Sequence, residues 1–304
     1  MTHRRLVAVA ALAVCFLASV AKAGIIYALD NSNNVFSFDH AQPQNILAGH
    51  SISGLAAGEQ MLNIDIDPRT TQMIGLSNRS RLYSVDVSTG AATPITPAFT
   101  PPLNGIAFGF DVNPAVASQA RVVSATDQNL RLDNFATNVF VASGILFGAG
   151  DANSSKNANV EALAFANNVA SATTSTAFGI DTVQDALVRL GSVNGSPNAT
   201  DSGQVVTVGA LGVDAGNLVG MDISRDGVAF AAITTPASVF SNLYTINLNS
   251  GVATPQGRII GGVTIRDIAA DSSTNFAIPE PGTLACLALL PLAFRRVRSR
   301  RAGA

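Results

Sequence analysis

Apolar and polar residues alternate in short runs along residues 24–275, and clusters of Gly, Asn, Asp, Ser and Thr separate the runs. That period of two predicts half-buried β-strands joined by tight turns. One pattern, apolar–any–apolar–Asp/Asn, recurs as Phe36-Ser37-Phe38-Asp39, Tyr83-Ser84-Val85-Asp86, Leu130-Arg131-Leu132-Asp133, Phe178-Gly179-Ile180-Asp181 and Tyr244-Thr245-Ile246-Asn247. The copies are 47, 47, 48 and 66 residues apart. Two extend into matching hairpins, Leu82–Pro94 and Leu243–Pro255, each with a turn glycine, Gly90 or Gly251. A second pattern precedes the first: Ile64-Asp65-Ile66-Asp67-Pro68 matches Phe110-Asp111-Val112-Asn113-Pro114 and, less closely, Met221-Asp222-Ile223. Between the two patterns lies a further strand, such as Gln72–Ser77 or Ala120–Ala125. Four strands in about 47 residues is the repeat of a β-propeller blade.

The expected fold is therefore all-β: a propeller-like ring of about five four-stranded blades, or six if the 66-residue step hides a degenerate blade. Ile26–Asp39 aligns with Met73–Asp86 without a gap, so the first copy lacks its opening strand. Val263–Ala270, where Ile265-Arg266-Asp267-Ile268 resembles the opening pattern, is the expected replacement. A strand from the C-terminal side would close the ring and leave no open blade edge. The polar stretch Val193–Gln204 is expected to be a loop inserted in the fourth blade. Helix competes with strand only in alanine-rich stretches such as Asn157–Ala170.

The two ends follow neither pattern. Residues 1–23 read as a helical secretory signal: a basic start at Arg4 and Arg5, an apolar run Leu6–Val20, and an A-x-A cleavage site at Ala21-Lys22-Ala23. Leu12-Ala13-Val14-Cys15 offers a rival lipobox, but the apolar run continues five residues past Cys15. Such a signal implies the Sec export machinery as a partner. The ectodomain is then 24–275, and the tail is 276–304. The tail holds Pro279-Glu280-Pro281, an apolar run Leu284–Phe294 expected as a hydrophobic helix, and the arginines Arg295, Arg296, Arg298, Arg300 and Arg301. Two prolines around an acid keep that segment stiff and extended. The apolar run is shorter than the ~20 residues of a full helical span. The arginines would stay cytoplasmic, so a transient inner-membrane anchor is expected.

This tail resembles the PEP-CTERM sorting domain of bacterial exported proteins, with Pro279, Glu280 and Pro281 matching its motif. The resemblance implies recognition by an exosortase, a membrane-embedded cysteine peptidase-like enzyme. It also implies removal of the tail, and a final place at the cell surface or outside the cell of an exopolysaccharide-making bacterium. Beside such a tail, most of 25–270 resembles a family of exported domains of unknown function with a propeller-like repeat. Ile52-Ser53-Gly54-Leu55-Ala56, Ala107-Phe108-Gly109-Phe110-Asp111, Gln128-Asn129-Leu130-Arg131-Leu132 and Gly209-Ala210-Leu211-Gly212-Val213-Asp214 carry that likeness. It implies a fold and no activity.

Composition sharpens this division. The whole chain has a net charge of −2, but residues 24–278 hold 10 basic and 19 acidic residues. A strongly acidic ectodomain argues against nucleic acid as a partner. Cys15 and Cys286 both lie in the ends, which excludes a disulfide scaffold. The same segment has two histidines (His40, His50), two glutamates (Glu59, Glu161), no cysteine and no tryptophan. It lacks the donors of a His/Cys zinc site, a G-x-S-x-G elbow and a P-loop. His50-Ser51 reads as a surface loop. No catalytic residue and no resident cofactor is expected, with calcium as the exception worth testing. Its oxygen ligands would come from Asp30, from Asp65 with Asp67, from Asp151 with Asn153, and from Asp222 with Asp226. Asp39, Asp86, Asp133 and Asp181 read first as turn-formers at equivalent blade positions, and alternatively as a carboxylate ring. The expected role is non-enzymatic adhesion, matrix organisation or binding, with exopolysaccharide or matrix proteins as partners. A calcium-assisted propeller hydrolase or lactonase is one alternative, and a polysaccharide- or protein-binding module is another.

Overall fold

A computed structural model describes residues 24–259 and 262–271; the expected signal segment, 1–23, and the expected sorting tail, 276–304, lie outside the described residues. Five sheets, antiparallel but for one short added strand, make up the described structure. Blade 1 holds β1 (Ile25–Asp30), β2 (Asn34–Asp39), β3 (Ile46–Ser51) and, from the far end of the chain, β21 (Ile265–Asp271). Blade 2 is β4 (Met61–Ile66), β5 (Met73–Ser77), β6 (Arg81–Val85) and β7 (Ala92–Pro94). Blade 3 is β8 (Phe108–Val112), β9 (Ala120–Ser124), β10 (Asn129–Asp133) and β11 (Asn138–Val141). Blade 4 is β13 (Val160–Phe165), β14 (Ala177–Asp181), β15 (Ala186–Leu190) and β16 (Gln204–Ala210), with β12 (Leu146–Phe147) added in parallel to β16. Blade 5 is β17 (Val219–Ile223), β18 (Ala229–Ile233), β19 (Asn242–Ile246) and β20 (Ala253–Arg258).

The innermost strands β21, β4, β8, β13 and β17 neighbour one another in a closed cycle, so the count is five blades. β21 pairs with β1 from Ile25↔Asp271 to Leu29↔Asp267 and supplies the opening strand that the first copy lacks. Burial falls outward through each blade. Every residue of β5, β8, β9, β13, β14, β17 and β18 is buried, whereas β3, β7, β11 and β20 are largely exposed. Inner strands covered on both faces can therefore be apolar without interruption, and only outer strands need to alternate.

A separate apolar core fills each junction between blades. Leu29 and Val35 meet Met61 and Ile64 between blades 1 and 2. Ile74 and Leu82 meet Phe110 and Val122 between blades 2 and 3. Val123 meets Val160 and Leu163 at the next junction, Ile180 meets Met221 and Ile223 at the one after, and Phe230 and Leu243 meet Ile26 and Phe38 at the last. Hairpin chemistry matches the repeated turn. In the β6–β7 turn, the Asp86 carboxylate accepts the Ser88 N–H at 2.8 Å, and Gly90 adopts φ +76°. A Cβ at Gly90 would lie 2.4 Å from the Ser51 carbonyl oxygen, so only glycine fits.

Two expectations need correction. Asp39, Asp86 and Asp133 end the third strand of their blades, counting outward from the axis, but Asp181 ends the second strand of blade 4. The same signal, an apolar alternation followed by a turn-former, occurs at both strand ends, so spacing alone slipped by one strand. The extra length of blade 4 is shared between the connection carrying β12 and the loop 193–203 between β15 and β16. His50 lies on the outer strand β3, opposite Val35, rather than in a loop. Among the described residues no helix is long and apolar enough to cross a membrane.

Candidate functional site

Each innermost strand is a sheet edge, and its outward-facing N–H groups need partners. Aspartates on these strands supply them. Asp65 on β4 accepts the Ile66 N–H on Oδ1 (2.6 Å) and the Val112 N–H of β8 on Oδ2 (2.8 Å). Asp222 on β17 repeats this, accepting Ile223 N–H on Oδ1 (2.6 Å) and Ala270 N–H of β21 on Oδ2 (2.6 Å). Asp111 on β8 takes the Phe165 N–H of β13. Asp267 on β21 accepts the Ile64 N–H of β4 at 3.0 Å. Each carboxyl thus staples its blade to the next. The junction between blades 4 and 5 instead uses Asn168, whose amide donates to the Ile223 carbonyl at 3.0 Å.

The register defines one layer across the axis. Asp65 and Asp111 bond the N–H just after the aligned residue on the next strand, which places Ala164 and Ala269 in line with Asp65, Asp111 and Asp222. The layer is therefore three aspartates and two alanines. Its hydrogen bonding is uneven for a geometric reason. Ile66 and Ile223 offer their N–H groups to their own blade's aspartate because the preceding blade carries alanine. The Val112 N–H is already taken by Asp65, and Asp111 Oδ1 is left buried without a partner.

Carboxylate oxygens of Asp65, Asp111 and Asp222 lie within 4.8 Å of one another, and each residue is at most 2% exposed. Burial raises Asp65 and Asp111 well above the usual carboxylate range, and neighbouring aspartates add to the effect. Asp267 is raised in the same sense, by burial first and then by Asp222. Burial pushes Asp222 up to about 7. Desolvation of this kind works against the charged form, and each neighbouring acid adds to it.

Above this layer the axis opens into a funnel of about 270 Å³, to which all five blades contribute. Gln60, Leu62 and Asn63 come from blade 2, Ile106 and Phe108 from blade 3, Glu161 from blade 4, Asn217 and Leu218 from blade 5, and Arg266 from blade 1. Glu161 is raised by burial and accepts the Thr182 hydroxyl at 2.8 Å. Arg266 is lowered by burial; its Nε donates to Asn31 Oδ1 at 3.1 Å and its Nη1 to the Met61 carbonyl at 3.0 Å. Asn63 Oδ1 is buried and unpartnered, while its amide donates to the Phe108 carbonyl at 2.8 Å.

Of the seven candidate calcium ligands read from the sequence, only Asp65 and Asp222 meet at the axis. Asp30 closes the β1–β2 turn by accepting the Ser32 and Asn34 N–H groups, both at 2.8 Å. Asp67 does the same for Arg69 N–H and the Thr70 hydroxyl. Asp226 belongs to the β17–β18 turn, and Asp151 ties Asn153 and Thr207. Asp111 and Asp267 were missed as site residues. The signal for Asp111 was already visible, since Phe110-Asp111-Val112 has the same phase as Ile64-Asp65-Ile66.

A family model described as a domain of unknown function, DUF4394, matches residues 34–269, which is nearly the whole ring. The chain belongs to the DUF4394 family. No curated protein matches the DUF4394 chain. Among solved structures it is similar to hydrazine synthase of Kuenenia stuttgartiensis, at 16% identity and a TM-score of 0.39, over 73% of this chain and 52% of that one. It is also similar to a quinonprotein alcohol dehydrogenase-like protein of Bacteroides thetaiotaomicron, at 13% identity and a TM-score of 0.37, over 78% and 51%. A calcium-binding protein, regucalcin, from Agrobacterium tumefaciens gives 11% identity and a TM-score of 0.38, over 79% and 74%. The chain thus spans about half the length of the first two. Likeness at this level transfers no activity, ligand or partner.

Proposed function

We propose that this DUF4394 protein is an exported, exosortase-processed propeller with a non-enzymatic binding role at the cell surface or in an extracellular matrix. Its ligand would enter the axial funnel. The funnel itself carries this reading: it combines amides, one carboxyl and one guanidinium with apolar walls at the meeting point of all five blades. That mixture suits a hydroxyl-rich ligand, and about 270 Å³ suits a single sugar unit at a chain end or branch. The acidic ectodomain disfavours strongly anionic polymers. A hydrolase acting on sugars needs two carboxyls flanking the bond. Glu161 is the one acid lining the funnel, and the aspartate layer is sealed from any substrate there.

The binding half is tested with purified full-length protein on a glycan array, followed by titration calorimetry of the hits. Arg266→Ala and Glu161→Gln should each weaken a genuine hit by about tenfold, the worth of one charge-assisted hydrogen bond. Unchanged affinity in both variants would remove the funnel from the reading. The sorting half is tested with Pro279→Ala/Pro281→Ala, which should retain the tail and change the protein's location. Identical tail length and location in variant and wild type would refute it.

A further inference from the structure

We propose that Asp65, Asp111 and Asp222 together bind one calcium ion on the propeller axis, where it ties three blades to one another. Their oxygens lie within 4.8 Å of one another. Oxygens that share one calcium ion can stand no farther apart than about 4.6–5.2 Å, twice its 2.3–2.6 Å bond length, so all three carboxyls are close enough to meet on one ion. Magnesium demands a near-ideal octahedron and dehydrates reluctantly, so donors fixed on three separate blades suit calcium's more flexible shell better.

An independent observation points to a ligand. Asp111 Oδ1 is sealed from water and has no hydrogen-bond partner, because Asp65 occupies the N–H that would otherwise serve it. A buried oxygen left in that state is costly, and a hard cation answers it directly. Ala164 and Ala269 complete the layer with the smallest side chains that keep a Cβ, and both are fully buried. They add no side-chain atom beyond Cβ to the layer. Calcium takes six to eight oxygens, so the three carboxylates leave positions for main-chain carbonyls and waters. The funnel lies next to the layer along β4. Asn63 lines it, carries a second unpartnered oxygen, and shares a face of β4 with Asp65.

The site is separate from the funnel's ligand, so its test uses no glycan. Full-length protein is stripped with a chelator, the chelator is removed, and CaCl2 or MgCl2 is added at matched ionic strength. Calorimetric titration should give one calcium per chain. At a hundredfold excess over its dissociation constant, calcium should raise Tm by about 5–10 °C, and magnesium by much less. Asp111→Asn keeps one acceptor oxygen, Asp222→Asn keeps one of the two that Asp222 uses, and each should weaken calcium binding at least tenfold. Asp226→Asn, in the β17–β18 turn, should leave it unchanged. Absence of heat and of a Tm shift at about 10 mM CaCl2, roughly ten times the weak end for calcium modules, would overturn the proposal. So would an equal magnesium response, or a full calcium response in the Asp111→Asn/Asp222→Asn double variant. If the variants fail to fold by circular dichroism, the wild-type stoichiometry and the calcium–magnesium contrast still decide.

Discussion

Asp65 and Asp222 look interchangeable in sequence and in their hydrogen bonds, yet their removal should differ in cost. Asp222→Ala leaves two buried N–H groups without acceptors, those of Ile223 and Ala270. Neither has a replacement in the layer, because the preceding positions there are Ala164 and Ala269. Asp65→Ala also frees two, those of Ile66 and Val112. The Val112 N–H, however, adjoins Asp111 in the chain, in the same relation that joins Ile66 to Asp65 and Ile223 to Asp222. Asp111 Oδ1 has no partner, so it can take that N–H. One orphaned N–H remains in Asp65→Ala, two in Asp222→Ala. At about 1–3 kcal/mol per buried orphan, Asp222→Ala should be the less stable variant by about 2 kcal/mol. For a ring of this size that is about 4–8 °C in Tm. Differential scanning calorimetry of both variants in chelator, at pH 5 where carboxyl charge is least in play, gives the comparison. Equal destabilisation, or a greater loss in Asp65→Ala, would refute the reasoning from shared donors.

Three further outcomes follow from the same bonds. Asp267 is raised far above its unfolded value near 3.9, so its stabilising contribution is full below that value and is lost as pH rises through the folded pKa. In chelator, Asp267→Asn should therefore flatten the fall in Tm on the alkaline side, while Asp267→Ala should lose about 2 kcal/mol at every pH by orphaning the Ile64 N–H. Glu59 behaves oppositely: burial pushes it up, but the Ser77 and Tyr83 hydroxyls, the Ala56 N–H and Arg81 hold it below its ordinary value. Its contribution is lost as pH falls below about 4, so Glu59→Gln should lessen the acid loss of stability in thermal melts. Asp201 accepts from both Arg121 and Arg131 and clips the blade 4 loop to blade 3; Arg121 is 3% exposed. Asp201→Ala should cost about 2 kcal/mol, less than the full price of a buried unpaired charge because Asp201 is itself partly exposed, and limited proteolysis should then cut within 193–203.

Much of the ring is legible in the chain because repeats and turns are local. The apolar–any–apolar–Asp pattern marks blades, and the gapless alignment of Ile26–Asp39 with Met73–Asp86 reveals a missing strand that β21 then supplies. The phase of blade 4 is not legible, since Asp181 and Asp133 carry the same signal at the ends of different strands. The two-residue strand β12 is also hidden: it is set by a parallel pairing with β16, more than fifty residues away. The axial layer falls between these cases. Sequence shows an acid between two apolar residues at Asp65, Asp111 and Asp222, and turn chemistry explains Asp30 and Asp67 equally well. Only the ring's closure distinguishes them, by bringing strands more than forty residues apart within reach of one carboxyl.

The reason that acids sit at the axis follows from the architecture. A barrel satisfies its edge strands by pairing them with each other, but a propeller's inner strands face one another side chain to backbone and leave a ring of donors. Water can serve such donors only in a wide channel. Here β17 and β21 approach so closely that a Cβ on Gly220 would lie 2.4 Å from the Asp267 Cα. A short acceptor on the neighbouring strand is then the remaining solution, and aspartate brings two oxygens where asparagine brings one. The drawback is charge, and it grows with each acid added. Five aspartates in the layer would satisfy more donors but would crowd five carboxyls on one axis. Three aspartates with Ala164 and Ala269 stop short of that, and each alanine leaves one N–H to the aspartate of its own following blade. The single orphan that results, Asp111 Oδ1, falls where two acids occupy consecutive blades. The place with the greatest need for a cation is therefore set by the order of acids and alanines around the ring.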